Sequence, residues 1–407
     1  MERPENTVSP APNPDWTEGS WGGLIEAATL YRRQLHREPE LTWQERDTAV
    51  SVRTTLDVLG IPWSVCAETG TVARLAPDAP GRHVALRGDM DALPIVEESG
   101  VAWSSTRPGC MHACGHDGHT ATLMAAAGWL KRHEATLPGP VTLLFQPAEE
   151  GGHGARRMIE DGALESVDEI FGWHNWPAIP YGQAVCPDGA VMAGNGTFRI
   201  TVKGAGGHAS QPEACRDPVL AASGVVMALQ QVVSRRFKPQ SAVVLSVTSI
   251  IAESADTVIP DHAVLRGSFR LANAGDRAAI HRLIREIANS TAVGYGTEAE
   301  VELFPRYNPT INHSRQAARM RDALKEELGD DWMPENISLP IMASEDFSYY
   351  LKEIPGAFAL LGAGEGDNPP EPCHSPRYDF NDRLIPVVGR LYARLAGAAL
   401  PEGKQRS

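Results

Sequence analysis

The chain has 407 residues, 42% hydrophobic and 22% charged, which are ordinary globular values and too great a length for one simple core. Its formal charge of −14, with no Lys/Arg block, lacks the basic footprint of a nucleic-acid binder, and no apolar run approaches the roughly 20 residues of a membrane span. Six cysteines over this length do not make a disulfide scaffold.

Residues 1–20 are polar and proline-rich, without an apolar h-region. They predict a disordered tail, no secretory signal and a cytoplasmic location. Helical spacing runs over 24–34 and should stop before Pro39; a second helix covers 45–59 and closes at Gly60. Short apolar runs at 84–87, 141–145 and 169–172 read as buried strands, with helices between them at 120–133 and 155–161. Each strand runs into carboxylates or a histidine: Asp89 and Asp91, Glu149 and Glu150, His174. The alternation predicts an α/β domain with a mostly parallel sheet, whose ligand crevice lies at the carboxyl ends of the strands.

The pattern changes near Gly189. Strands at 197–202, 242–249, 263–270 and 298–304 alternate with helices at 217–235 and 277–291, the first opened by Asp217-Pro218. The order β-α-β-β-α-β is the ferredoxin-like (split βαβ) signature, here inserted into the larger domain. The α/β style then resumes with a helix at 316–328, a strand at 358–361 and a helix at 385–398. The expected domains are therefore 21–188 with 306–400, and an inserted 189–305.

Ligand-type side chains are densest in GCMHACGHDGHTA (109–121), which holds Cys110, His112, Cys114, His116, Asp117 and His119. Cys and His suit zinc or a similar borderline metal. Glu149-Glu150, His174 and His374 supply what such a site would still need. Adjacent residues of an extended segment point opposite ways, so one glutamate can bind metal while its neighbour faces substrate. Metal-assisted hydrolysis uses that division, a second carboxylate carrying the proton of water to the leaving group. Cys373 is a ligand or a bystander. His112, His119 and His153 read as supporting residues, because counting every one would exceed a plausible ligand number. His36, His133, His281 and His313 read as ordinary helix or surface histidines. Cys66, Cys186 and Cys215 read as small buried hydrophobes; a Cys110/Cys114 redox pair is an alternative, without the usual CxxC spacing.

Seven motifs then follow one order through nearly the whole chain: LHREPEL (35–41), LRGDMDALPI (86–95), MHACGHDGHTA (111–121), LLFQPAEEGGHGA (143–155), GAGGHASQP (204–212), ASEDFSYY (343–350) and CHSPRYDFND (373–382). On these residues the chain resembles the zinc-dependent aminoacylase/carboxypeptidase superfamily of co-catalytic metallopeptidases. Within it, it resembles the branch of hippurate hydrolases, N-acyl-amino-acid amidohydrolases and plant auxin-conjugate hydrolases. The resemblance implies two divalent metal ions, zinc first, with manganese or cobalt as alternatives. It implies Cys114, His116, Glu150, His174 and His374 as ligands, Glu149 as general base and Asp91 as an acid orienting a ligand. His208 is implied to help bind the scissile carbonyl, supplied by a partner in a homodimer built through the inserted domain. Arg270 is a candidate for the substrate carboxylate, with a structural ion pair as the other reading. Many relatives have Asn where this chain has Thr257 and His where it has Glu213, departures that bear on substrate choice. The implied reaction is hydrolysis of an N-acyl amino acid, a small-molecule substrate. The nearest alternative is a dipeptidase or carboxypeptidase of the same superfamily. A more distant one is a non-catalytic protein with a closed structural metal site, which would have no use for Glu149 beside a ligand.

Overall fold

The computed structural model describes residues 14–365 and 371–401. The chain forms two compact units. The larger runs to Gly189 and takes up Asn312–Ile337 and the chain from Tyr349 onward; the smaller comprises Ala190–Ile311 and Ser338–Ser348.

In chain order the larger unit begins with α1 (Trp21–Arg37) and α2 (Arg46–Leu59). Then come β1 (Trp63–Cys66), β2 (Gly70–Leu75), β3 (Val84–Asp89), α3 (His116–Arg132), β4 (Val141–Gln146), α4 (Gly154–Glu160), β5 (Glu169–Pro180) and β6 (Ala184–Val185). The smaller unit contributes β7 (Gly194–Lys203), α5 (Pro218–Gln231), β8 (Val243–Ile251), β9 (His262–Leu271), α6 (Asp276–Gly294) and β10 (Glu298–Pro305). The larger unit ends with α7 (Ser314–Leu328), β11 (Gly356–Gly364) and α8 (Leu384–Leu395).

One seven-stranded sheet, in the order β1-β2-β4-β3-β5-β11-β6, organises the larger unit. Its centre is parallel: β3 pairs with both β4 and β5, and β5 with β11. Every residue of β3 and β4 is buried, which is why these strands read as unbroken apolar runs rather than alternating ones. Fully burying a side chain such as Leu86, Leu143 or Phe145 stabilises the fold by about 1.5–3 kcal/mol. The edges β1, β2 and β6 pair antiparallel. The β1–β2 hairpin was not anticipated; its exposed Val65 and short strands carry a weak signal.

Helix α3 starts four residues earlier than its spacing suggested, at His116, because Gly115 adopts a left-handed conformation (φ 92°) and turns the chain directly into it. Gly60 ends α2 in the same conformation (φ 67°), as expected. The tail expectation for residues 1–20 divides. Residues 1–13 lie outside the described residues. Beyond them, Trp16 is buried edge-on against Tyr31, and the Ser20 hydroxyl accepts the Gly23 N–H to cap α1.

In the smaller unit the sheet order β8-β9-β7-β10 is antiparallel throughout, the ferredoxin-like arrangement. Its buried face (Phe198, Ile200, Val202, Leu265) packs with α5 and α6, and Asp217 caps α5 through the Val219 and Leu220 N–H groups. Arg199–Glu302 and Lys203–Glu300 pairs lie on the exposed face. Ser338–Ser348 belongs to this unit by contact, although its sequence style suggested the larger domain. There the Ala193 N–H donates to the carbonyls of Ile341 and Ala343, a tertiary pairing that composition does not reveal. Among the described residues no helix is long and apolar enough to cross a membrane.

Candidate metal centre

The larger unit gathers its functional side chains at the carboxyl ends of the parallel strands and at the start of α3. Just past the end of β3, Asp91 is buried. Cys114 precedes the left-handed Gly115 and His116 opens α3. A Cβ on Gly115 would sit 2.7 Å from the Tyr378 hydroxyl and closer still to Asn175, so only glycine fits between these two side chains. His174 lies within β5, opposite Leu360 of β11. His374 is itself left-handed (φ 70°), and its N–H donates to the Ala113 carbonyl at 2.7 Å.

Glu149 and Glu150 lie in a turn, not in the extended segment that was expected to separate them. Asp91 sets this turn: Oδ1 accepts the Glu149 N–H and Oδ2 the Glu150 N–H, both at 3.0 Å, and Oδ2 also accepts the Thr42 hydroxyl at 2.8 Å. One carboxylate thus fixes the backbone of both glutamates.

The donor atoms form overlapping groups, each with all members within 4.8 Å of one another. Cys114, His116 and His174 make one group and Cys114, Glu150 and His374 a second, so Cys114 is common to both. His116, Glu149 and Glu150 form a third, which places the Glu149 carboxylate beside the ligand candidates. Donors about 2.0–2.3 Å from a tetrahedral ion stand roughly 3.3–3.8 Å apart. Cys114 Sγ lies 3.3 Å from His174 Nε2, and Glu150 Oε1 lies 3.3 Å from His374 Nε2.

Hydrogen bonding prepares the donors. His116 Nδ1 meets the Asp91 carbonyl at 2.9 Å and His174 Nδ1 the Asn175 carbonyl at 2.7 Å. A carbonyl only accepts, so each Nδ1 carries the proton and each neutral ring offers an Nε2 lone pair. His116 Nε2 and Glu150 Oε1 are buried without hydrogen-bond partners among the described atoms. A cation in each of the first two donor groups would satisfy these atoms, and the donor sets fit divalent ions.

The electrostatics differ between the two rings, His174 being held neutral and His116 favouring a second proton that a cation would displace. Burial, with His119 adding to it, holds His174 well below the usual imidazole range, favouring the neutral ligand form. A hydrogen bond to Cys373, burial and the Glu150 and Glu149 carboxylates hold the Cys114 thiol well above its usual range. Burial opposes charging of His116, yet the Asp89 and Asp91 carboxylates raise it to about 10. A pocket this rich in carboxylates resists a bare thiolate, and a divalent cation reverses that penalty.

His208 and Arg270 belong to the smaller unit. His208 lies in the short strand Gly207–His208, paired with Val258–Ile259, and is exposed. Its Nδ1 accepts the Ser210 N–H at 3.2 Å, so the neutral ring carries its proton on Nε2. Arg270 donates to the Ser344 hydroxyl at 2.9 Å; burial and the nearby Arg306 lower its pKa, and among the described residues no carboxylate lies within ion-pair distance of it. Thr257 accepts the Ala209 N–H through its carbonyl, and Glu213 is exposed in the Pro212–Ala214 turn.

Asp89, expected at the strand end but given no role of its own, holds a second buried set of contacts. It bonds His119 and the Arg87 guanidinium, each at 2.5 Å, and His119 Nε2 continues to Asn175 Oδ1 at 2.7 Å. The i, i+2 spacing of Asp89 and Asp91 at a strand end was the available signal. Behind α3, His36, read as an ordinary helix or surface histidine, is wholly buried against Asp117, as is Arg32. Cys110 donates to the Pro39 carbonyl, away from both donor groups, and Cys215 is half-exposed rather than buried.

Known proteins agree with this architecture. The chain is 39% identical to the IAA-amino acid hydrolase ILR1-like 2 of Arabidopsis thaliana, over 91% of this chain and 84% of that one. It is 36% identical to the hippurate hydrolase of Campylobacter jejuni, over 90% and 94%. The crystal structure of the YXEP protein of Bacillus subtilis, described as a dinuclear metal binding peptidase, superposes with a TM-score of 0.78 at 32% identity, covering 92% of this chain and 98% of that one. The model of peptidase family M20/M25/M40 matches residues 85–398, and the chain belongs to that family.

Proposed function

We propose that this protein is a metal-dependent amidohydrolase that cleaves N-acyl amino acids into a carboxylic acid and a free amino acid. The observation that carries the reading is Cys114, shared by two donor groups, with the Glu149 carboxylate within reach of the same atoms. Relatives over nine-tenths of the chain that act on an amino-acid conjugate and on hippurate support the substrate class.

Cys114, His116 and His174 would hold one divalent ion, and Cys114, Glu150 and His374 the other. The soft sulfur favours zinc. Bound there, the ions supply Lewis acidity toward the scissile carbonyl and lower the pKa of water. Glu149 takes the proton of the attacking water and returns it to the departing amine. Asp91 keeps Glu149 and Glu150 in register by holding both backbone N–H groups. Arg270, without a carboxylate partner among the described residues, receives the carboxylate of the amino acid. His208 offers its Nε2–H to the carbonyl oxygen as negative charge develops there, a donor worth about 10²–10³ in turnover.

The edge strand β8 exposes Val244, Ile250 and Ile251. An edge without a strand partner among the described residues, carrying apolar side chains, supports a homodimer built through the smaller unit. Mixing two inactive variants, Glu149→Ala and His208→Ala, under verified subunit exchange tests supply of His208 across it. Restored activity supports supply in trans; none restored places His208 in its own subunit's cleft.

The function is tested by turnover of N-acetyl, N-benzoyl and indole-acetyl amino acids against free dipeptides, before and after chelation. Hydrolysis of acylated substrates that is lost with metal and recovered with zinc is expected. Full activity in protein shown metal-free by elemental analysis, or activity confined to free dipeptides, rejects the reading.

A further inference from the structure

We propose that the larger unit carries a second binding site, at the opposite edge of its sheet from the metal donors, that takes a small organic dianion. A cavity of about 360 Å³ opens there among Arg82, Glu169, Arg315 and Arg319, with Val84, Pro138 and Ala396 as its apolar wall. Val84 and Glu169 are the first residues of β3 and β5, whereas the metal donors lie toward the other ends of these strands. From Glu169 to His174 is five residues of β5, about 16 Å at roughly 3.3 Å per residue. The chain has a net charge of −14, yet three guanidiniums against one carboxylate leave this cavity with two positive charges.

The one carboxylate is already satisfied. Glu169 is 2% exposed; its Oε2 accepts from Gln316 Nε2 at 3.1 Å and its Oε1 pairs with Arg319. Arg319 also donates to the Leu395 carbonyl and lies over the Phe171 ring, so its guanidinium is occupied. Arg82 Nη1 stands 3.9 Å from Glu169 Oε2, beyond hydrogen-bond reach. Among the described residues the Arg315 side chain has no hydrogen-bond or ion-pair partner, and both Arg82 and Arg315 are exposed. Two guanidinium forks are therefore left for a ligand, and each matches a carboxylate or a phosphate through paired N–H donors. The wall that carries them is close-packed. A Cβ on Gly139 would sit 2.2 Å from the Arg82 carbonyl oxygen and one on Gly81 2.3 Å from that of Pro138, so these two segments lie backbone against backbone. The Gly81 N–H donates to the same Pro138 carbonyl at 2.8 Å. Liquid water takes about 30 Å³ per molecule, so an inorganic anion of a few atoms leaves most of the cavity empty. An organic body fills it against Val84, Pro138 and Ala396 while its two charges meet Arg82 and Arg315.

The test titrates the full-length, zinc-loaded protein with phenyl phosphate, glutarate and inorganic phosphate by calorimetry, in about 0.1 M chloride to screen exposed charges beyond roughly 10 Å. Saturable binding of phenyl phosphate or glutarate with a Kd of about 1 mM or lower is expected, and the tighter of the two marks the ligand as a phosphate ester or a dicarboxylate. Arg82→Ala and Arg315→Ala should each weaken that binding about 10–100-fold, the loss of one charge-assisted contact, with turnover of N-acyl amino acids and zinc content unchanged. Arg315→Lys, which keeps the charge and loses the fork, should fall between wild type and Arg315→Ala. No saturable binding, binding unchanged in the Arg82→Ala/Arg315→Ala double variant, or inorganic phosphate held as tightly as phenyl phosphate overturns the proposal. Binding that survives both substitutions but falls in Arg270→Ala assigns the anion to the substrate's carboxylate site and overturns it as well.

Discussion

Asp91→Asn removes one charge and one acceptor from a buried carboxylate that holds two glutamate N–H groups and the Thr42 hydroxyl. The amide has a single oxygen. Turned toward the Glu149 N–H, it faces the Glu150 N–H with its own NH₂, donor against donor, and only Thr42 can adapt by accepting. One charge-assisted bond is lost, about 1.5–3 kcal/mol, and one buried N–H is left unpaired, about 1–3 kcal/mol. These costs overlap, so a net loss of about 2–4 kcal/mol is expected. The loosened turn carries Glu150, and residues that orient metal ligands typically contribute about 10–100-fold to affinity. All nine tryptophans lie in the larger unit, so fluorescence during urea unfolding of metal-free protein follows that unit alone. Zinc affinity is read by competition with a chromogenic chelator. A stability within about 0.5 kcal/mol of wild type, as for ordinary surface substitutions, together with unchanged zinc affinity would refute the role of Asp91.

Glu150→Ala should lower the metal content, whereas Glu149→Ala should keep it and lose about 10²–10⁴ in turnover; equal metal loss in both variants would move Glu149 into the ligand set. Burial opposes charge on His36, but Asp117 and Glu97 outweigh it and raise the group from 6.5 to about 9. Its stabilisation is therefore complete below pH 6.5 and lost as the pH rises through about 9, on the order of 3 kcal/mol. Urea stability should fall across that window in wild type and less steeply in His36→Gln; the same slope in both would reject the assignment. Gly115→Ala should cost about 3 kcal/mol or more, from the left-handed backbone and from Cβ contact with Asn175 and Tyr378, and should abolish zinc uptake; a stable, zinc-binding variant would show that the turn tolerates a side chain.

Local sequence determined the elements and the chemistry they carry. Continuous apolar runs marked β3 and β4 because both faces of a central parallel strand are buried, and Asp217-Pro218 marked the start of α5 because a cap acts within one turn. The ligand types in 109–121 and at 149–150, 174 and 374 were legible for the same reason, since donor chemistry belongs to the residue itself. Only the tertiary structure decided how those residues meet. Cys114 stands in both donor groups and Asp91 clamps the 149–150 turn, each through contacts between segments distant in the chain. The burial of Arg32 and His36 against Asp117, and the attachment of Ser338–Ser348 to the smaller unit, were hidden likewise. Hydrogen bonds and electrostatic fields act through space, so a periodic pattern along the chain can propose their members but not their pairing.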